Sequence, residues 1–141
     1  MKRKALLITM TGLFLLFAAF GFFGNHGGDV RNVSREVGAS EKFTPGEIEE
    51  AMDIAWQYFK EEFEGCKLLS LSYDETHSDK SAADWAAQYG MDEAIVLLSS
   101  FITDSFGGDG SFTPNETYRN WQWILTRNTG GEWVLQTWGY G

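Results

Sequence analysis

The sequence FTPGEIEEAMDIAWQYFKEEF, residues 43–63, has the pattern of one long amphipathic helix. Thr44 and Glu47 have the spacing of a capping box, and Pro45 stands at the first helical position, so we expect the helix to begin here. Apolar residues recur on one face at helical spacing: Ile48, Met52, Ala55, Phe59 and Phe63. Gly65 suits the C-terminal stop. The sequence therefore predicts a helix whose apolar face covers a core.

Strand patterns follow this helix. Residues 66–73 alternate between apolar and polar side chains, which predicts a half-buried strand. Residues 94–103 are almost wholly apolar, as expected of a central strand. Between them, residues 81–89 predict a short helix, with Ser81 and Asp84 in a variant of the capping box.

Two aromatic segments near the C-terminus, residues 117–127 and 133–140, predict a hairpin around a glycine-containing turn. A loop of even length would turn one apolar face toward the long helix, with Trp121, Trp123, Leu125, Val134 and Trp138 on it. The aromatic residues left for exposure are then Tyr118, Trp133 and Tyr140. Because aromatic side chains combine a large contact area with a polar handle, these three residues are the ligand-binding candidates.

The N-terminus has the pattern of an export or membrane signal. Lys2, Arg3 and Lys4 precede an uncharged run at residues 5–23, and a helix of that length can span the hydrocarbon core of a membrane. The small residues that offer a cleavage site, Ala19 and Gly21, are followed by phenylalanine. This order favours an uncleaved anchor, with a cleaved signal peptide as the alternative.

The chain is thereby divided into three parts. Residues 1–24 form a signal anchor or signal peptide, residues 25–42 a flexible spacer, and residues 43–141 a globular domain. The basic residues before the apolar run predict that the domain lies outside the cytoplasm. The predicted location is the cell membrane, with a single span, and secretion is the alternative.

The part of the chain after the apolar run is strongly acidic. Without Lys2, Arg3 and Lys4, 8 basic residues stand against 20 acidic ones, which gives a net charge of −12. Such a charge repels nucleic acid and favours cationic ligands. Cys66 is the single cysteine, so it forms no internal disulfide; we expect it to be buried, with a disulfide to a second molecule as the alternative. The expected partner is an unknown protein or small ligand, and no motif calls for a cofactor.

Asp74, Glu75 and His77 are the candidates for acid–base catalysis, because they lie together between a strand and a helix. Turn and capping chemistry explains the same residue types equally well. The other histidine, His26, falls in the predicted spacer. The sequence has neither a serine nucleophile elbow nor a glycine-rich phosphate loop. We therefore expect no catalysis.

Asp104 and Asp109 are the candidates for metal binding. They lie in one segment with Gly107, Gly108 and Gly110. Calcium binds oxygen ligands and tolerates a flexible backbone, so this segment offers the groups that a calcium site needs. The spacing fits neither an EF-hand nor a glycine-rich calcium repeat. We therefore expect a mobile loop between strands and no bound metal.

The order of helix, strand, short helix and three strands resembles the cone-shaped folds of the nuclear transport factor 2-like and cystatin-like group. The domain also looks like small uncharacterised exported proteins of gut-dwelling Gram-positive bacteria, a resemblance carried by Glu47, Ile48, Phe59, Phe63, Gly65, Cys66, Leu69, Tyr73, Asp74, Trp121, Trp123, Trp138, Gly139 and Tyr140. The resemblance implies a long helix across a curved sheet. It brings no known activity, although enzymes of the cone group often use an Asp–His pair or a lone Asp.

The predicted fold is α+β, with the long helix on a curved antiparallel sheet of about four strands, a second short helix, and an N-terminal transmembrane or signal helix. The predicted function is a membrane-tethered or secreted binding domain without catalysis. One alternative is a small hydrolase or isomerase that uses Asp74, Glu75 or His77 in the mouth of the cone. Another is an acidic immunity or inhibitory partner, and the open face of the sheet offers a surface for a homodimer.

Overall fold

The computed structural model describes residues 27–140 and has an α+β fold. In chain order its elements are β1 (Ser34–Val37), α1 (Pro45–Glu62), β2 (Cys66–Tyr73), α2 (Glu75–Asp79), α3 (Ala82–Gln88), β3 (Glu93–Thr103), β4 (Thr117–Arg127) and β5 (Val134–Gly139). The predicted signal anchor or signal peptide at residues 1–24 lies outside the described residues, as does His26. Within residues 27–140, no helix is both long and apolar enough to span a membrane.

Helix α1 begins with the predicted capping box. Oγ1 of Thr44 accepts a hydrogen bond from the Glu47 N–H at 3.1 Å, and the Glu47 carboxylate accepts one from the Thr44 N–H at 2.8 Å. The helix ends at Phe63, whose N–H donates to the carbonyl of Phe59. The predicted apolar face is buried against the sheet, through Ile48, Ala51, Met52, Ala55 and Phe59. This prediction is confirmed.

The sheet has five strands, which lie side by side in chain order. Strand β1 runs parallel to β2, and the other neighbours are antiparallel. The predicted strands β2 to β5 are antiparallel neighbours as expected, but the sheet has five strands rather than about four, and it is mixed because β1 is parallel to β2. The additional strand, β1, lies inside the segment predicted to be a spacer. Because the side chains at positions 34–36 are all exposed, the alternation that indicates a half-buried strand is missing there.

The residues before β1 also belong to the fold. The N–H of Gly28 donates to the carbonyls of Phe59 and Lys60, at 3.2 and 3.0 Å, near the end of α1. Asp29 forms a parallel bridge with Lys67 of β2. Three valines of this segment, Val30, Val33 and Val37, contact the core. Residues 28–37 are therefore part of the domain rather than a spacer that precedes it.

Helices α2 and α3 lie on the face of the sheet opposite α1. Ala82 and Ala86 of α3 form a small cluster with Ala94 of β3, and Oγ of the buried Ser78 accepts a hydrogen bond from the Val96 N–H at 3.0 Å. Helix α3 was predicted, but its proposed cap is wrong, because the side chain of Ser81 makes no capping hydrogen bond. Helix α2 was not predicted. The sheet is thus partly covered on its second face as well.

Strands β4 and β5 form the predicted hairpin, but the predicted faces hold only in part. The register pairs Trp123 with Trp138, Leu125 with Leu135 and Thr126 with Val134. It shifts between Ile124 and Leu125 because β5 contains one extra residue, and a bulge of this kind exchanges the two faces beyond it. Leu135 therefore joins the core, whereas Val134 is 44 % exposed.

Candidate functional site

The three predicted catalytic candidates do not converge on one site. The Asp74 carboxylate accepts a hydrogen bond from the His77 N–H at 3.0 Å and caps α2. The Glu75 carboxylate accepts hydrogen bonds from Oγ of Ser40 and from the hydroxyl of Tyr73, and the bond from Ser40 is the largest cause that lowers the pKa of Glu75. The imidazole of His77 is hydrogen-bonded to neither carboxylate, and its Nε2 is buried without a hydrogen-bond partner among the described residues. Both carboxylates thus stabilise local structure.

The two metal-binding candidates bond to the backbone of their own loop. The Asp104 carboxylate accepts hydrogen bonds from the N–H groups of Phe106 and Gly108, at 2.9 and 3.0 Å. The Asp109 carboxylate accepts from the N–H and the hydroxyl of Ser111, at 3.0 and 2.6 Å. Residues 27–140 contain no group of three His, Cys, Asp or Glu side chains placed to hold a metal ion.

The three aromatic ligand candidates have different environments. Trp133 was predicted to be exposed, but it is 5 % exposed, because its Nε1 donates to the carbonyl of Glu47 at 3.0 Å and fixes the ring against α1. Tyr118 is half-buried and stacks on Phe101, with ring centroids 5.1 Å apart. Tyr140 is 61 % exposed and stacks on the outer side of Tyr118. Trp133 is therefore removed from the candidates.

An open pocket of about 220 Å³ lies where the end of α1, the loop before β4 and strand β5 meet. Its lining consists of four aromatic side chains, three carboxylates and a serine: Tyr58, Glu62, Phe63, Glu64, Asp109, Ser111, Phe112 and Trp138. None of these lining residues is basic. Aromatic faces together with carboxylates attract a positive charge, because the ring quadrupole and the carboxylate both stabilise a cation.

The aromatic wall of this pocket is continuous. The ring centroids of Tyr58 and Trp138 are 4.5 Å apart, and the rings are tilted by 45°. Phe63 lies 6.4 Å from Tyr58 and stacks on Phe112 at 6.0 Å. Trp138 keeps 37 % of its surface exposed, so its ring remains open to a ligand. A cation within about 6 Å of these centroids would interact with more than one ring face.

The carboxylates of Glu62, Glu64 and Asp109 are exposed at the rim of the pocket. Burial raises the pKa of the Tyr58 hydroxyl, and the charge of Glu62 raises it further, so the field of that carboxylate reaches the aromatic wall. The hydrogen bond from Ser111 lowers the pKa of Asp109. The pocket therefore combines carboxylates at its rim with a phenol whose pKa is raised.

The loop between β3 and β4 supplies Phe112 to the wall, and its shape depends on glycine. The Phe112 N–H donates to the carbonyl of Gly107 at 3.1 Å. Gly107 has a φ of +71°, and a Cβ at this position would lie 2.1 Å from the carbonyl oxygen of Phe112. Only glycine satisfies both conditions, so Gly107 permits the hydrogen-bonded turn that places Phe112 at the wall.

Comparison of the chain with protein-family models, curated proteins and solved structures finds no match. The chemistry of the pocket is therefore argued from its own residues. Sequence reasoning missed Tyr58, Glu62 and Glu64, and it placed Trp138 in the core. The spacing of Tyr58 and Glu62, four residues apart, puts them side by side on a helix and is the signal that could have indicated this site.

Proposed function

We propose that this chain is a non-catalytic binding domain that takes a cationic group in the pocket beside Tyr58 and Trp138. The observation that carries the proposal is the composition of the pocket, in which aromatic rings and three carboxylates line one space without a basic side chain. A lysine or arginine side chain of a protein partner and a small quaternary ammonium both present such a group.

Two physical effects favour a cation over a neutral group of the same shape. Contact with an aromatic face contributes about 0.5–2 kcal/mol, depending on how far the cation is desolvated. The net charge of −12 over the residues after the apolar run raises the local concentration of cations. Because only the second effect extends into solvent, added salt will weaken binding without abolishing it.

The domain is further proposed to work outside the cytoplasm, held by residues 1–24 or secreted. The support is the order of three basic residues followed by an uncharged run at positions 5–23. Cell fractionation with external protease tests the anchor, and we expect a membrane-bound chain whose domain is accessible to the protease. A soluble extracellular form that begins near Phe20 or Phe22 would show a cleaved signal peptide instead.

The finer fold assignment, to the cone-shaped nuclear transport factor 2-like and cystatin-like group, is part of this proposal. It is supported by the long helix α1 on one face of the sheet. Register shifts in the pairs β2–β3, β3–β4 and β4–β5 also support it, because bulges bend strands and curve a sheet.

A titration with tetramethylammonium tests the binding function directly. The full-length chain is kept in polyoxyethylene detergent, which carries neither charge nor sugar, and the indole N–H resonance of Trp138 is followed by NMR. We expect a saturable shift with tetramethylammonium and none with tert-butanol, a neutral molecule of similar shape, at matched ionic strength. The amides of Nα-acetyl-lysine and Nα-acetyl-arginine, added in parallel, show whether a protein side chain or a quaternary ammonium fits better.

A pair of variants on α1 supplies the control. Glu62→Gln removes one carboxylate at the pocket, and Glu49→Gln makes the same chemical change at an exposed position outside the pocket lining. We expect Glu62→Gln to weaken tetramethylammonium binding about threefold to tenfold and Glu49→Gln to leave it nearly unchanged. Equal effects of the two variants, or equal binding of tert-butanol, would overturn the proposed function.

A further inference from the structure

A second cavity, of about 500 Å³, lies on the opposite face of the sheet, between α2, α3 and β4. Its lining combines hydrogen-bonding side chains with one indole: His77, Ser81, Asp84, Trp85, Gln88, Asn120 and Gln122. The described lining contains no lysine or arginine, one histidine and one carboxylate, that of Asp84. The chemistry therefore differs from that of the cation pocket, and the inference drawn from it does not rest on the proposed function.

Gln122 is the central polar group of this cavity. Its side chain is part of the wall although the residue is only 8 % exposed, and its amide makes no hydrogen bond to any described residue. The amide does not belong to the fully buried polar atoms that lack a partner, so it is accessible from the cavity and free to hydrogen-bond a ligand. His77 also belongs to the wall, but its unpaired Nε2 is buried and is not offered to a ligand. A ligand with hydroxyl groups would satisfy the Gln122 amide as both donor and acceptor.

Asn120 is held at the cavity by an unusual backbone conformation. Its φ is +60°, which is uncommon outside glycine, and it lies where the register of β3 and β4 shifts between Ser99 and Phe101. Bulges redirect side chains and recur beside binding sites. Asn120 lies two residues before Gln122, so strand alternation brings a second amide to the same face of the sheet, at the edge of the bulge.

Trp85 provides an apolar surface beside these amides. It packs against the alanine cluster of α3 and β3, and its ring stacks with Tyr89 at 6.2 Å and an interplanar angle of 20°. The neighbouring Asp84 and Ser81 add an acceptor carboxylate and a hydroxyl. A fixed indole next to amide and carboxylate groups is complementary to a molecule that is apolar on one face and bears hydroxyl groups on its rim.

We propose that this cavity binds the ring of a neutral sugar. The C–H face of a pyranose ring would lie on Trp85, and its hydroxyl groups would pair with the amides of Gln122 and Asn120 and with Asp84. The described lining residues include no lysine or arginine, which disfavours a strongly anionic ligand. The volume is within the range of ligand pockets, about 300–1,000 Å³, and accommodates a sugar ring.

A titration with methyl glycosides of glucose, galactose, mannose and N-acetylglucosamine tests this proposal. The full-length chain in polyoxyethylene detergent is followed by NMR at the side-chain amides of Asn120 and Gln122. We expect at least one glycoside to shift both amides in a saturable manner, whereas ethylene glycol, which has hydroxyl groups but no ring, does not. If none of the four glycosides shifts them at concentrations up to about 50 mM, the proposal is overturned.

Two variants identify the binding groups. Gln122→Leu keeps the buried volume but removes the amide, and Asn120→Gly removes the second amide at a φ that suits glycine, so at least one of the two variants retains the fold. We expect each to weaken glycoside binding about tenfold or more, while Gln57→Leu on the exposed face of α1 leaves it unchanged. Unchanged affinity in a folded Gln122→Leu or Asn120→Gly variant would also overturn the proposal.

Discussion

Arg127 connects three parts of the chain that are far apart in sequence. Its guanidinium donates to the carboxylates of Glu47 and Glu93, at 2.7 and 2.6 Å, and lies 4.3 Å from the ring centroid of Trp133. Trp133 itself bonds to α1 through the carbonyl of Glu47. Strand alternation misassigned Trp133 because it precedes the first residue of β5, Val134, and alternation does not apply outside a strand.

Trp133 is therefore expected to contribute far more to stability than Trp138. Trp133→Ala should lower the free energy of unfolding by about 3–5 kcal/mol, because a buried ring and its hydrogen bond are both lost. Trp138→Ala should lower it clearly less, because 37 % of that residue is exposed in the folded state. Chemical denaturation followed by circular dichroism measures both. Equal losses, or a larger loss for Trp138→Ala, would contradict the assigned environments.

At the scale of elements, the sequence predicted what depends on local patterns. The capping box at Thr44 and the periodic face of α1 gave both the start and the orientation of that helix. Strand β1 has no alternating pattern, and α2 is only five residues long, so local signals could not indicate either. Both depend on contacts that form across the sheet, such as the pairing of Ser34 with Ser70.

The start of α1 should make stability depend on pH. The hydrogen bond from the Thr44 N–H, followed by the bond from Arg127, holds the pKa of Glu47 below its ordinary value. A carboxyl group whose pKa is lowered by folding stabilises the fold above its unfolded pKa, about 4.3, and this contribution is lost as the pH falls through the folded pKa. We expect Glu47→Gln to reduce the loss of stability between about pH 5 and pH 3 in denaturation experiments.

Glu49→Gln is the matched control for this pH dependence. It removes one carboxylate from an exposed position on the same helix. Glu49 takes no part in the capping box or in the ion pair that Glu47 forms with Arg127. Its stability should follow the pH profile of the unmodified chain. If the free energy of unfolding has the same pH dependence in the Glu47→Gln and unmodified chains, the ionisation of Glu47 does not stabilise the fold through the capping box and the Arg127 ion pair.

The N-terminal segment gives a second test at this scale. A chain that begins at residue 38 lacks β1 and the contacts of Val30, Val33 and Val37 with the core. Because this truncation exposes apolar surface and the edge of β2, we expect it to be less stable than a chain that begins at residue 27 by at least about 2 kcal/mol. Thermal and chemical denaturation of the two chains measures the difference. Equal stability would restore the interpretation of this segment as a spacer.

At the scale of the whole molecule, the sequence could at most indicate single parts of each site, such as the pair Tyr58 and Glu62, because each site joins elements that meet only in the fold. The cation pocket combines Tyr58 of α1, Phe112 of a loop and Trp138 of β5. The second cavity combines Trp85 of α3 with Gln122 of β4. The sequence does show that the chain is acidic and rich in aromatic residues. This composition already favours a cationic ligand, although it does not locate the site.

The two sites lie on opposite faces of one sheet, so they should act independently. Glu62→Gln should weaken tetramethylammonium binding without changing glycoside binding, and Gln122→Leu should do the reverse. The described linings of the two sites have no residue in common, so the effects in the double variant should add within about 0.5 kcal/mol. The two NMR titrations, repeated on the double variant and with both ligands present, measure the coupling. A larger coupling would show that β4 and β5 transmit a structural change between the faces, because β5 lines the first site, β4 lines the second, and the two strands are paired.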